Sequence, residues 1–83
     1  MEEKIGRIVH YFTKLGVAAI ELTDGDLKVG DRIHIQGHTT NFEQQVESLQ
    51  IEHDKVNEAK KSQKVGIMVK DHVREQDTVY KVT

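Results

Sequence analysis

The residues best suited to bind a metal ion are the five histidines, His10, His34, His38, His53 and His72. His34 and His38 are four positions apart, a spacing that places two imidazoles together on one face of a helix. The surrounding residues, Arg32–Gln36, alternate polar and apolar as a strand does, and four residues along a strand span about 13 Å. The chain also lacks cysteine, so thiolate ligands are absent. We therefore predict no metal site and interpret the histidines as polar, solvent-facing strand residues.

Oxygen ligands and nucleophiles are equally sparse. The stretch Asp24-Gly25-Asp26 resembles the start of a calcium loop, but the further oxygen ligands and the glutamate at loop position twelve are missing, so we interpret it as a turn. The only serines are Ser48 and Ser62, and neither lies in a Gly-x-Ser-x-Gly nucleophile elbow. A domain of 83 residues has little material for a deep pocket. We predict that the protein is not an enzyme and needs no cofactor.

Basic residues suggest one candidate binding surface, made of Lys55, Lys60, Lys61, Lys64 and the more distant Arg74. A lysine-rich loop can contact phosphates without sequence specificity. The bulk charge does not favour nucleic acid, because the formal net charge is -2 and proteins that grip nucleic acid are usually basic. The alternative is a loop that only improves solubility.

Glycine provides the strong turn signals, because the chain contains no proline. The segments between glycines are short and rich in Ile, Val and Thr, which favours strands. We predict strands at Lys4–Lys14, Val17–Leu22, Arg32–Gln36, Phe42–His53, Val65–Lys70 and Thr78–Val82. Apolar residues fall out of phase in the first strand, which predicts either a central strand covered on both faces or a strand with a bulge. They also fall out of phase near Glu47–Ser48, where we expect a bulge. The one helix-like segment, Asp54–Lys64, is too short for a stable helix, and we expect a turn or loop.

Short strands separated by turn signals about every ten residues predict an all-β fold. We expect residues 1–83 to form a single domain, an antiparallel barrel of roughly six strands that is closed or nearly closed. Alternation places Leu27, Ile33 and Ile35 in the core and His34 outside. No segment approaches the ~20 apolar residues of a membrane span, and the N-terminus lacks the features of a secretory signal. We therefore expect a cytoplasmic protein.

The order of these motifs resembles the second, β-barrel domain of translational GTPases such as elongation factor Tu and initiation factor 2. In that family a Gly-x-Leu-x-x-Gly-Asp-x-Ile stretch joins two strands, and here its residues are Gly25, Leu27, Gly30, Asp31 and Ile33. Two further stretches are matched by Ala59, Val65, Gly66 and Ile67, and by Arg74, Asp77 and Val79. The resemblance covers about Ile5 to Val82.

Two residues depart from the family pattern. Ser62 and Gln76 stand where the family usually has glycine, at positions that should form turns. We therefore expect altered or slightly strained turns at both places, with the strand order unchanged.

The resemblance implies a binding role. Relatives of this barrel contact the acceptor end of tRNA, ribosomal RNA or a neighbouring protein domain, and similar barrels occur as accessory domains at the end of some U32-type peptidases. The chain has no phosphate-binding Gly-x-x-x-x-Gly-Lys-Ser/Thr loop, so we expect no GTP hydrolysis. The leading hypothesis is contact with RNA or a ribonucleoprotein; the alternative is a protein-interaction module that docks on a larger enzyme. Pairing of edge strands between chains leaves the oligomeric state open.

Overall fold

The computed structural model describes all 83 residues and confirms an all-β, antiparallel fold, with ten strands where roughly six were predicted. The strands are β1 (Glu2–Phe12), β2 (Val17–Leu22), β3 (Leu27–Lys28), β4 (Arg32–Gln36), β5 (Asn41–Gln45), β6 (Leu49–Ile51), β7 (Asp54–Val56), β8 (Glu58–Ala59), β9 (Lys64–Met68) and β10 (Thr78–Val82). Eight of them form one antiparallel sheet in the order β5-β4-β10-β1-β2-β9-β6-β7, and β3 pairs separately with β8. The structure contains no helix with the length and hydropathy needed to cross a bilayer.

The longest strand, β1, pairs with two neighbours and bends between them. Its first half pairs with β10 and its second half with β2, and register shifts occur between Lys4 and Gly6 and between Ile8 and His10. These irregularities confirm the predicted bulge, and bulges bend a strand and increase its twist. At Gly6 the backbone of Glu21 comes so close that any Cβ would overlap its carbonyl oxygen. The bend curls the sheet around its core.

The core is a single cluster of fifteen buried apolar residues. The predicted inward positions are confirmed, since Leu27, Ile33 and Ile35 are fully buried and so is the face of β2 made by Ala18, Ile20 and Leu22. Burial of each large aliphatic side chain stabilises the fold by roughly 1.5–3 kcal/mol. This core holds the short strands together, because none of them is stable alone.

The prediction of one long strand over Phe42–His53 is wrong. The chain leaves the sheet after the buried Val46, which still bonds the residues just before β4: its N–H donates to the carbonyl of Asp31 (2.8 Å) and its carbonyl accepts from the N–H of Gly30 (2.9 Å). The expected bulge near Glu47–Ser48 is instead a break between β5 and β6. The segment predicted as a turn or loop also contains strands, β7 and β8, because Val56 pairs with Leu49 of β6 and Ala59 pairs with Leu27 of β3.

Three turns share one hydrogen-bond pattern, in which the fourth residue bonds both polar groups of the first. In the turn from Lys28 to Asp31, the Asp31 N–H donates to the Lys28 carbonyl (3.1 Å) and the Asp31 carboxylate accepts from the Lys28 N–H (3.0 Å). The turn Lys60–Gln63 repeats this with distances of 3.0 and 2.7 Å. The turn Arg74–Asp77 repeats it with distances of 3.2 and 2.9 Å.

The third residue of each of these turns has a positive φ, as type II turns require. It is Gly30 in the first (97°), Ser62 in the second (82°) and Gln76 in the third (77°). Glycine adopts this conformation without a steric penalty, whereas other residues pay roughly 1–2 kcal/mol. The expectation of strained turns at the two departures from the family pattern is therefore confirmed.

We predict that Ser62→Gly stabilises the domain by about 0.5–1 kcal/mol, because relief of left-handed strain exceeds the entropy that glycine adds to the unfolded chain. The midpoint of urea unfolding measures the change. The matched variant Gly30→Ala places a Cβ at the equivalent position and should destabilise by about 1–2 kcal/mol. A Ser62→Gly protein that unfolds at the same or lower urea concentration would show that this turn is unstrained.

Candidate functional site

The predicted basic residues contact different turns of the molecule. Lys60 lies near two carboxylates, at 3.2 Å from Glu58 and 4.0 Å from Asp26, and the backbone N–H of Lys61 donates to the same Asp26. Arg74 instead donates from Nε to the hydroxyl of Thr39 (2.9 Å), in the turn between β4 and β5. The Asp26 turn follows β2 and the Thr39 turn follows β4, and β1 and β10 lie between these two strands in the sheet. Arg74 therefore contacts a different part of the molecule from Lys60 and Lys61.

The remaining two lysines of the predicted surface lie on strands. Lys55 is the central residue of β7, opposite Gln50, and Lys64 begins β9, opposite Glu21. Both are exposed. The structure therefore groups Lys60 and Lys61 beside acidic partners and spreads the other three cations over separate elements.

His34 lies outside the core as predicted, but its ring is part of a polar network and only 13% of its side chain is exposed. Its Nδ1 faces both carboxylate oxygens of Glu2 at 2.9 Å, and its Nε2 faces the side-chain oxygen of Asn41. Both ring nitrogens thus meet acceptors, which only the protonated imidazolium can satisfy with two N–H donors. These hydrogen bonds, from Glu2 first and Asn41 second, raise the pKa of His34 above 6.5.

The two histidines of the His34-x-x-x-His38 pair do not lie together in the structure. His38, the other half of the sequence pair, is exposed on the far side of Gly37, and no group of three or more His, Asp or Glu side chains converges in the structure. No sequence pattern indicates the partner Glu2, because it lies on β1, which is not adjacent to β4 in the sheet. His34 therefore lies outside the core as predicted, but its ring nitrogens contact Glu2 and Asn41, which the sequence did not indicate.

A groove of about 700 Å³ opens where the sheet fails to close on itself. One wall is β5, and the other is the chain from Met68 to Lys70, which continues from β9. The side chain of Gln44 crosses between the walls: its Nε2 donates to the Met68 carbonyl (2.8 Å) and its Oε1 accepts from the Lys70 N–H (2.9 Å). Sequence analysis gave no signal for this groove, since Gln44 looked like one polar residue of a long strand.

An apolar surface lies next to this groove. Phe12, Val17 and Met68 form a cross-strand row on β1, β2 and β9, with Leu15 in the turn beside them. Phe12, Leu15 and Met68 are 44%, 67% and 64% exposed. We call these four residues the apolar patch. Contiguous exposed apolar side chains of this kind are typical of interaction sites.

A second, smaller groove of about 280 Å³ borders the apolar patch. The small residues Ala19 and Gly66 line it, and the turn between β6 and β7 forms part of its rim. Both residues of that turn, Glu52 and His53, have positive φ (50° and 72°) although neither is glycine or asparagine. Such strained backbone often occurs at functional sites.

Comparison of the coordinates with solved structures identifies a domain of the same architecture. The C-terminal domain of a Geobacillus thermoleovorans protein described as a U32 peptidase superposes with a TM-score of 0.90, over 98% of this chain and 93% of that one, at 23% identity. This chain has the fold of that domain. A selenomethionine form of the same domain superposes with a TM-score of 0.87 at 22% identity. The comparisons thus support the resemblance to the U32 accessory barrel over the resemblance to a translation factor.

Comparison of sequences identifies longer relatives. An uncharacterized protease of Methanocaldococcus jannaschii is 49% identical over 78 residues, which are 93% of this chain and 19% of that protein. A collagenase of Porphyromonas gingivalis is 41% identical over 78 residues, again 93% of this chain and 22% of the collagenase. The chain therefore spans about a fifth of the length of these relatives. No family model matches the chain.

We predict that His34 makes the stability of the domain depend on pH. Because its pKa is raised in the folded state, its contribution is fully present below pH 6.5 and is lost as the pH rises through the folded pKa. Urea unfolding at about pH 6 and pH 8.5 should show a larger loss of stability in the native chain than in His34→Gln. His38→Gln, which removes an exposed histidine, should keep the native pH dependence. Identical pH dependence in the native chain and His34→Gln would contradict the prediction.

Proposed function

We propose that this chain is a non-catalytic accessory domain of a U32-type peptidase, acting next to a protease region that it does not itself contain. The observation that carries the proposal is the TM-score of 0.90 with the C-terminal domain of a protein described as a U32 peptidase. The 41% and 49% identities to a fifth of a collagenase and of a protease support it from sequence. Fold similarity alone is a weak argument for function, so the sequence identities matter.

The polar residues of the domain also support a non-catalytic role. A nucleophile must lie within reach of a base that a third group orients. His34 is the best-oriented histidine, but its two nitrogens are occupied by Glu2 and Asn41, so neither is free to activate a hydroxyl. The two serines, Ser48 and Ser62, form no hydrogen bond to a histidine. A module of this kind would position a protease or its substrate.

The apolar patch is the surface that we expect to pack against the protease region. Its four side chains supply far less than the ~800 Å² per partner of a stable complex between separate proteins. A small apolar contact is sufficient between domains held in one assembly, because tethering gives each a high effective concentration of the other. The patch thus fits a domain interface better than self-association.

A chimera tests the proposal. In the P. gingivalis collagenase, the 78-residue stretch that matches this chain is replaced by the chain itself or deleted. We expect the chimera to hydrolyse collagen at close to the native rate and the deletion to lose roughly tenfold or more, about 1.4 kcal/mol of transition-state stabilisation. The isolated chain should hydrolyse nothing. Hydrolysis by the isolated chain, or a chimera as inactive as the deletion, would contradict the proposal.

RNA binding through Lys55, Lys60, Lys61, Lys64 and Arg74 is the competing candidate, favoured by four lysines within ten residues of sequence. The net charge of -2 and the acidic partners of Lys60 weigh against it. Binding of tRNA, titrated with salt, separates the two functions. We expect no binding at about 150 mM salt. The RNA candidate requires measurable binding. It also requires that the slope of log affinity against log salt concentration decrease in magnitude by about one for each of the substitutions Lys60→Ala, Lys61→Ala and Lys64→Ala.

A further inference from the structure

The groove beside β5 is bounded by two backbone edges that have no strand partner. β5 pairs only with β4, so its other edge is free. β9 pairs with β6 only at Gly66, which leaves the edge from Met68 to Lys70 without a ladder. A free edge presents unpaired N–H and C=O groups and normally carries proline, lysine or a bulge as protection. β5, with the sequence Asn-Phe-Glu-Gln-Gln, carries none of these, and its one charged residue, Glu43, is held by Arg32 at 2.8 Å.

Gln44 shows which chemical group fits between these edges. A glutamine side chain ends in an amide, the same group as a peptide bond, and this amide donates to the Met68 carbonyl and accepts from the Lys70 N–H. In a parallel ladder, a residue placed opposite Val69 would make the same two bonds: its backbone N–H would donate to the Met68 carbonyl and its carbonyl would accept from the Lys70 N–H. Gln44 therefore stands in for the backbone of an absent strand.

The width of the groove agrees with this. An extended glutamine side chain reaches about 5 Å from Cα to its amide nitrogen, by standard bond lengths. Adding the 2.8 Å hydrogen bond and the length of the carbonyl that accepts it leaves the two backbones at most roughly 10 Å apart. That upper limit is about twice the ~4.8 Å between paired strands, and the two segments form no ladder with each other, so the gap has room for at most one strand.

We propose that this groove binds an extended polypeptide, which displaces the Gln44 amide and adds as a strand between β5 and the chain from Met68 to Lys70. Both signs of charge line the walls, with Arg32 and Lys70 against Glu43 and Glu47, so recognition falls mainly on the peptide backbone. A second copy of the chain does not fit, because its β5 is already joined to its own β4 and cannot enter a slot one strand wide.

The identity of the bound peptide rests on the proposed function. A domain that accompanies a peptidase and holds an unfolded segment in extended form would present protein substrate to the protease region. The groove itself rests only on the geometry of β5, Gln44 and the edge from Met68 to Lys70.

Reduced, carboxymethylated α-lactalbumin, a soluble chain without stable tertiary structure, is a suitable probe for the 83-residue protein, and native α-lactalbumin is its folded control. Amide NMR titration should show shifts at Asn41–Gln45 and at Met68 to Lys70 with the unfolded probe and none with the folded one. Gln44→Ala should bind about threefold to tenfold more tightly, because it removes the internal competitor for the same backbone groups.

Two further variants separate this effect from a change in folding. Gln36→Ala truncates an exposed glutamine of β4 that does not line the groove, and should bind as the native chain does. Gln44→Glu keeps the size of the side chain and can still accept from the Lys70 N–H but cannot donate to the Met68 carbonyl, so its affinity should be intermediate. Thermal melting confirms that each variant is folded.

Several results would overturn the proposal: equal binding of folded α-lactalbumin, unchanged or weaker binding by Gln44→Ala, or shifts confined to other strands. Sedimentation of the free chain as a dimer that Gln44→Ala strengthens would assign the edge to self-association instead. If the collagenase chimera is active but Gln44→Ala leaves peptide binding unchanged, the groove proposal fails and the accessory function stands. If the peptide binds as expected but the chimera is inactive, the groove stands and the accessory function fails.

Discussion

The architecture depends on the bend of β1 where it passes from one partner strand to the other. A straight strand of this length would belong to a flat sheet. The apolar face of a flat sheet of this size would stay exposed to water. The bulges around Gly6, and the absence of a Cβ against the Glu21 carbonyl, let β1 join β10 on one side and β2 on the other. The pairing also brings the two ends of the described chain together, since the Met1 and Thr83 backbones exchange two hydrogen bonds of 2.8 Å.

The turns reverse this short chain many times although it contains no proline. Three of them use a side chain at the fourth position to bond the backbone of the first, and Asp77 does so at a site where Gly37 makes room for its carboxylate. Two of these three residues, Asp31 and Asp77, belong to the motifs that resemble translation-factor barrels. They build the fold and carry no chemistry, which explains why the same motifs fit both a translation factor and a U32 accessory domain.

The two surfaces for which we propose a binding role meet at one residue. Met68 belongs to the apolar patch through its side chain and to the peptide groove through its carbonyl. A protease region packed on the patch would therefore lie beside an extended chain held in the groove. The lysine-rich turn is separate from both, since Lys60 and Lys61 contact Asp26 in the turn after β2.

Local sequence was sufficient for much of the fold. Alternation located Ile33 and Ile35 in the core, out-of-phase residues located the bulge in β1, and the serine and glutamine at glycine positions located two strained turns. Each of these is a property of neighbouring residues along the chain, so periodicity and turn chemistry reveal it. The U32 resemblance could likewise be stated from the motifs, although they did not favour it over the translation-factor resemblance.

Only the tertiary structure decided where the strands end and which side chains contact one another. The strand that local sequence continued to His53 stops near the buried Val46, and the chain resumes as a separate strand, β6, at Leu49. His34 looked solvated by alternation, yet Glu2 approaches it from a strand two places away in the sheet. The groove exists because the last strand pairing is missing, and Gln44 crosses it to a residue 24 positions later. The sequence by itself determined the alternating buried faces of β2 and β4 and the strained turns at Ser62 and Gln76, because these depend on neighbouring residues. The incomplete closure of the sheet determined which backbone groups at its edges remain without a strand partner.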